Sequence, residues 1–426
     1  MRLLWLILIA SSSFWSATLT AKVISISPEQ SLEQALSSAQ PGDELILQKG
    51  IYQGNFVINV PMTLKGEEGA EINAGGNDHA LLIKAENVTI SDLRFRNWGD
   101  DLTDMDAGVF VQKQASNVTI RNSDFKGDGF GIWLDKTHGS RVINNIVEGN
   151  PKLRSADRGN GIQLSLVEGA EVRDNRVSKT RDGLYVIHSN DSVLENNTVH
   201  DLRYGIHYMY SHSNRVVNNT AYNTRAGYAL MSSRNLVVAG NQSRDSQDYG
   251  LLMNYITSSE ITNNRVERVW SNSEQKVVGG DGKSLFIYNS LHNTISNNLF
   301  ADSEIGIHLT AGSEENKIFA NSFIDNVVQV KYVSSREQEW SQQKQGNYWS
   351  NYLGWDMDNS GTGDQAFEPN DSIDKLLWEY PEARVLMDSP AVLVLRWVQR
   401  QFPVFKPQGV KDSYPLMAAP HQKSNQ

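Results

Sequence analysis

The sequence predicts an all-β chain: a right-handed parallel β-helix of about 22 residues per coil, with an N-terminal cap and a short α-helical C-terminal docking region. Three observations predict it. A glycine column recurs at Gly131, Gly161, Gly183, Gly205, Gly227, Gly250 and Gly306, with steps of 22, 22, 22 and 23 from Gly161 to Gly250. An asparagine column at Asn175, Asn197, Asn219, Asn241, Asn264, Asn298 and Asn321 moves in step with it. Between the columns lie short β-branched runs split by Asn, Gly and Ser, a strand-and-turn pattern without helical period. Stacked amides at a turn would bond from coil to coil, and the glycine would supply a tight bend.

The elements follow in order. Residues 1–21 read as a signal peptide: Arg2, an apolar run from Leu3 to Ala10, and Ala21 at the cut. The mature chain is expected in an exported compartment. Residues 22–57 form the cap, with a helix at 32–39 and a Pro41-Gly42-Asp43 turn. Residues 58–333 are the solenoid. Two long steps mark insertions of about eight residues near Pro151 and about twelve residues between Trp270 and Lys283. Residues 334–371 are an Asp-, Gly- and Trp-rich loop region. Residues 372–426 are a helical segment in which Asp388-Ser389-Pro390 caps a second helix bearing Leu393, Leu395 and Trp397. That helix reads as a docking element or as a cap packed back on the solenoid.

Composition narrows the function. The 426 residues carry a formal net charge of −10, which excludes a basic nucleic-acid binder. There is no cysteine, so soft-metal chemistry would rest on His and Met.

Strand alternation places the residue after each glycine inside and those two and four after it outside. The outer strip then carries Tyr185, Ile187, His207, Met209, Met231, Leu252, Phe286 and Tyr288. So apolar a strip reads as a partner surface, joined by Tyr210, or as a bed for the insertion beyond Trp270. His207, Met209 and Met231, with His188 and His212 close by, make a candidate Cu(I) site, since imidazole and thioether suit a soft ion. The same residues also suit protein docking. Asp356, Asp358, Ser360 and Asp364 offer oxygens at alternate positions for Ca²⁺, or a loop of Asx turns.

The segments RDGLYVIHSNDS, RYGIHYMYSHSN, GNYWSNYLGWDMDNSGTGD, SPAVLVLRWVQRQFPV and DSYPLM together resemble the NosD family of nitrous oxide reductase accessory proteins, nearly end to end. The resemblance implies a periplasmic β-helix partner of an ABC transporter, both its permease and its ATPase. It implies work with a periplasmic copper chaperone on the copper centre of nitrous oxide reductase, and no catalysis by this chain. The alternative is a carbohydrate-active β-helix enzyme of the uronate epimerase or lyase type. Such enzymes need clustered acids, bases and cations on one face. Here Tyr204-Gly205 leads into Ile206-His207-Tyr208-Met209 without the aspartates of the mannuronan epimerase pattern Y-G-[FV]-D-P-H-D. Asp128, Asp135, Asp157 and Asp182 read as scattered over separate coils.

Overall fold

The computed structural model describes residues 21–271, 281–310, 312–332, 334, 336–380, 389–401 and 409–421. Residues 1–20 of the expected signal peptide, Asp388 and most of the expected insertion beyond Trp270 lie outside the described residues.

The described chain is a parallel β-solenoid. One face is a 13-stranded sheet beginning with Val23–Ile26 and Glu44–Leu47, and every strand pair in it is parallel. Parallel pairing therefore starts at Val23 and includes strands of the segment expected as a separate cap. The cap proper is one helix, α1 (Leu32–Ser38), started by Ser31, whose Oγ accepts the Gln34 N–H. Its Leu32 and Leu36 close the end of the core.

The interior column stacks as expected. Ile132, Ile162, Leu184, Ile206, Tyr228, Leu251, Leu285 and Ile307 pair in register and are buried. The asparagine column is also observed. Each buried amide donates to the Oδ1 of the next: Asn175 to Asn197 at 3.0 Å, Asn197 to Asn219 at 2.9 Å, Asn219 to Asn241 at 3.0 Å. The run extends upstream to Asn145 and downstream through Asn321 to Asn347. Polar turns can thus lie inside the wall, because every donor and acceptor finds a partner.

The glycine column has a different cause from the one expected. Gly131, Gly161, Gly183, Gly205, Gly227 and Gly250 do not adopt positive φ. Glycine is required there by space: a Cβ at Gly183 would lie 2.5 Å from the Gly205 carbonyl oxygen and 3.0 Å from the core side chain of Val199. That Cβ would point inward, as Leu184 does. Strand alternation is broken at the bend, and the residue before each glycine faces out instead.

At the C-terminal end, Tyr348–Trp349 pairs with Ser322–Ile324 and closes the stack. Trp340, Trp349 and Phe367 cover the last coil. Asp412 terminates the asparagine run, accepting from the Asn347 N–H at 2.7 Å and from Trp349 Nε1 at 2.8 Å. Helix α2 (Ser372–Glu379) starts on an Asp371 capping box and buries Ile373. Helix α3 (Pro390–Gln401) starts on Ser389, whose carbonyl and hydroxyl accept from the first turn. No described side chain of α3 is buried, and Trp397 is 60% exposed. The capping role is filled by α2 and the tryptophans, so the reading of α3 as a cap packed back on the solenoid is not supported. Among the described residues no helix is long and apolar enough to cross a membrane.

Candidate functional site

The outer row is one register column: Trp133, Gln163, Tyr185, His207, Ala229, Leu252, Phe286, His308 and Lys331. The second row, Ser165, Ile187, Met209, Met231, Asn254 and Tyr288, pairs likewise. Met209 and Met231 are thus direct neighbours on adjacent coils, and His207 lies two residues before Met209 on the same side.

The centre of the face is polar. Asp182, expected to stand apart, is the residue before Gly183 and so turns outward at the bend. Its carboxylate accepts from Arg203 Nε at 2.8 Å and Nη2 at 2.6 Å, and contacts His207 Nδ1 at 2.9 Å. Burial alone would raise the Asp182 pKa, but the His207 and Arg203 bonds outweigh it and hold the group below the usual carboxylate range. The Arg203 guanidinium lies 4.5 Å from the centre of the Tyr204 ring. His207 is 6% exposed, packed between Tyr185 and Tyr204 with ring centroids at 4.6 and 5.0 Å. Its Nε2 is buried without a hydrogen-bond partner. The Tyr185 hydroxyl donates to Met209 Sδ at 3.2 Å.

The five expected copper ligands fall in two groups. His207, Met209 and Met231 share the strand face. His188 and His212 sit in the turns that follow, and His188 stacks on Tyr210 at 5.2 Å, both with positive φ. Burial lowers the His212 pKa, with the charges of Arg234 and His188 adding to the effect.

The residues expected as a partner surface divide in the same way. Tyr210 and Tyr288 are exposed, and Tyr185, Ile187 and Phe286 are half-buried. Leu252 points outward as expected but is only 7% exposed. Flanked in register by Ala229 and Phe286, it is a floor and not a contact surface. Beyond it, Lys283 Nζ lies 5.3 Å from the Tyr249 ring centre. Burial, with Lys331 and Lys283 adding to it, lowers the His308 pKa to about 3, so its ring is neutral.

Two acidic groups lie elsewhere on the chain. In the C-terminal loop, Asp356 accepts the N–H groups of Ser360 and Gly361, Asp358 accepts that of Ser360, and Asp364 accepts that of Met357. The Asp358 bond is an Asx turn, while those of Asp356 and Asp364 close larger rings, reaching four, five and seven residues along the chain. Asp78, His79 and Asp106 converge within 4.8 Å. There, His79 Nδ1 already accepts the Ala107 N–H at 3.2 Å, so its other nitrogen carries the proton and offers no lone pair.

Asp182, Arg203 and Tyr204 were missed in the sequence. A signal was present in part: the column before the glycine register reads Phe130, Asn160, Asp182, Tyr204, Ala226, Tyr249, Lys283 (before Ser284) and Ile305, and it is rich in polar and aromatic side chains. Unbroken alternation would turn that column inward, so the pattern alone does not mark it as part of the face.

The family profile described as "Periplasmic copper-binding protein (NosD)" matches residues 143–354, and that of "Right handed beta helix region" matches residues 67–167. A Pseudomonas aeruginosa protein named "Probable ABC transporter binding protein NosD" is 57% identical over 376 residues, 88% of each chain. The Stutzerimonas stutzeri protein of the same name is 51% identical over 421 residues, 97% of each chain. Among solved structures, the Dettilon tailspike protein aligns with TM-score 0.58 at 16% identity, over 73% of this chain and 69% of that one. The A-module of an Azotobacter vinelandii mannuronan C-5 epimerase aligns with TM-score 0.57 at 14% identity, over 75% and 92%. These two likenesses show the fold alone. By its identity to relatives matched over nearly their whole length, the chain belongs to the NosD family.

Proposed function

We propose that the chain is a periplasmic accessory protein that works beside an ABC transporter and takes part in assembling the copper centre of nitrous oxide reductase, together with a copper chaperone. The observation that carries the copper part is the outer face. It presents an imidazole with an unpaired buried nitrogen next to two thioethers, a donor set suited to Cu(I). His207, Met209 and Met231 would hold the ion in transit, and copper is cargo here. His188 and His212, one turn further on, would be contacts for the chaperone. Tyr185, Ile187, Tyr210, Phe286 and Tyr288 would receive the chaperone or the reductase. Support for a transporter partner comes from the relatives' names and from α3, whose Leu393, Leu395 and Trp397 are exposed.

The test has two arms. Cu(I) binding by the mature protein against a competing chelator is compared between wild type and the combined His207→Ala, Met209→Ala, Met231→Ala variant. Binding lost in the variant supports the site; equal binding removes it. Trp397→Asp should strip the protein from its permease in a pull-down, and unchanged recovery would sink that assignment. The Asp182–His207 pair favours a second reading, a carbohydrate-active enzyme with His207 as a base. Turnover of polyuronate by the purified chain would replace the first reading with this one.

A further inference from the structure

We propose that Asp182, clamped by Arg203, is a positioning residue: it fixes His207 as the Nδ1–H tautomer, so that the Nε2 lone pair is the nitrogen donor presented to a soft metal cation beside Met209. This rests on the metal reading of the outer face given above.

The argument starts from charge. Asp182 is 1% exposed, and both its oxygens are engaged by the guanidinium fork of Arg203. A carboxylate forked by arginine is ionised and can only accept. The hydrogen in the 2.9 Å contact with His207 Nδ1 must therefore come from the imidazole. The neutral ring then has a bare Nε2. No donor fills it, although Tyr185 and Tyr204 lie against the ring, because the Tyr185 hydroxyl is committed to Met209 Sδ. An unfilled acceptor in a dry site is destabilising and selects for something electron-poor. The thioethers of Met209 and Met231 on the same face make that a soft cation. A carboxylate behind a ligating imidazole is the general way of fixing its tautomer and raising its basicity. Entry requires the Tyr185 ring to swing off His207. That motion also breaks its bond to Met209 Sδ, so both donors are released together.

The experiment uses the mature full chain. Two-bond ¹⁵N correlation spectra report the tautomer of His207, assigned by its loss in His207→Gln. Wild type should show a protonated Nδ1 and a bare Nε2. In Asp182→Asn the amide can donate as well as accept, so the Nε2–H form should appear, as with other carboxylate-to-amide changes behind histidine. Arg203→Gln removes the fork that keeps the buried Asp182 ionised, so the Nε2–H form should gain ground there too, whereas Arg203→Lys, which keeps the charge, should keep the tautomer; a merely structural role for the clamp would not separate the two. Competition with a Cu(I) chelator should show about ten- to hundredfold weaker binding for Asp182→Asn. An Nε2–H tautomer in the wild type overturns the proposal without any variant. Cu(I) held equally well by wild type and Asp182→Asn overturns the positioning role and leaves the copper reading standing. The expected tautomer in a wild type that leaves all Cu(I) with the chelator overturns the presented donor and the copper reading together.

Discussion

Asp412→Asn is the perturbation whose size can be worked furthest. Asp412 is fully buried and ends the asparagine run, taking bonds from Asn347 N, Trp349 Nε1 and Tyr414 N at 2.7, 2.8 and 3.1 Å. Those donors favour the carboxylate, but burial outweighs them and raises the pKa from 3.8 to about 6. The gap corresponds to about 3 kcal/mol at about 1.4 kcal/mol per tenfold change. The sign follows from which state loses its proton first. Below pH 3.8 both states are protonated and the contribution is full. As pH rises toward about 6 the unfolded chain ionises first, so the folded state loses stability until that value is passed. Carboxylates with lowered pKa, such as Asp182 and Glu148, give the opposite slope, so the difference between two proteins is the quantity to read. Asparagine at 412 stays neutral throughout. The stability of wild type minus that of Asp412→Asn, from urea unfolding followed by tryptophan fluorescence, should fall by about 3 kcal/mol between pH 4 and pH 7.5. A difference that stays flat over this range would mean that the donors keep the carboxylate ionised, and the reasoning would be refuted.

Other perturbations test other parts of the frame. Asn219→Ala removes two acceptor bonds and two N–H donors shared among three oxygens, so a loss of up to about 4 kcal/mol is expected at about 1 kcal/mol each; a drop below about 1 kcal/mol in urea unfolding would contradict the coil-to-coil account. Gly183→Ala places a methyl 2.5 Å from a carbonyl oxygen of the next coil, and should cost about 1–3 kcal/mol and disturb the His207 ring signals through its neighbour Asp182. Unaltered signals would show that the bend does not set the direction of Asp182. Tyr185→Phe removes only the bond to Met209 Sδ, so it should leave the melting temperature within a few degrees and speed Cu(I) uptake in stopped flow. Slower uptake would mean that the hydroxyl guides the metal and does not hold it off.

How much of this was legible in the sequence depends on range. The inward residues and the asparagine run repeat every coil, so each position is written several times and the period exposes it. The two outer rows follow from the same period, and the pairing of Met209 with Met231 was readable from spacing alone. Asp182 was not, because alternation fails at a glycine chosen for space, and no local signal marks the failure. Leu252 was placed on the right side, yet its burial depends on neighbours on both adjacent coils. Asp412 is beyond any periodic reading, since it meets Asn347 across 65 residues of chain. The exposure of α3 depends on what does not pack against it, which a hydrophobic pattern does not reveal.

The asparagine run makes the solenoid a stiff beam. From Asn219, which follows His207 and Met209 on their coil, to Asp412 at the C-terminal base of the stack there are six consecutive side-chain links, or roughly 30 Å at about 4.8 Å per coil. Each link is buried and bonded on both sides, so the beam resists shear between coils. A tilt of about 10° at the base then swings His207 and the tyrosines around it through about 5 Å without altering a contact within the site. Distance from the base sets the length of that stroke, and each coil in between adds to it.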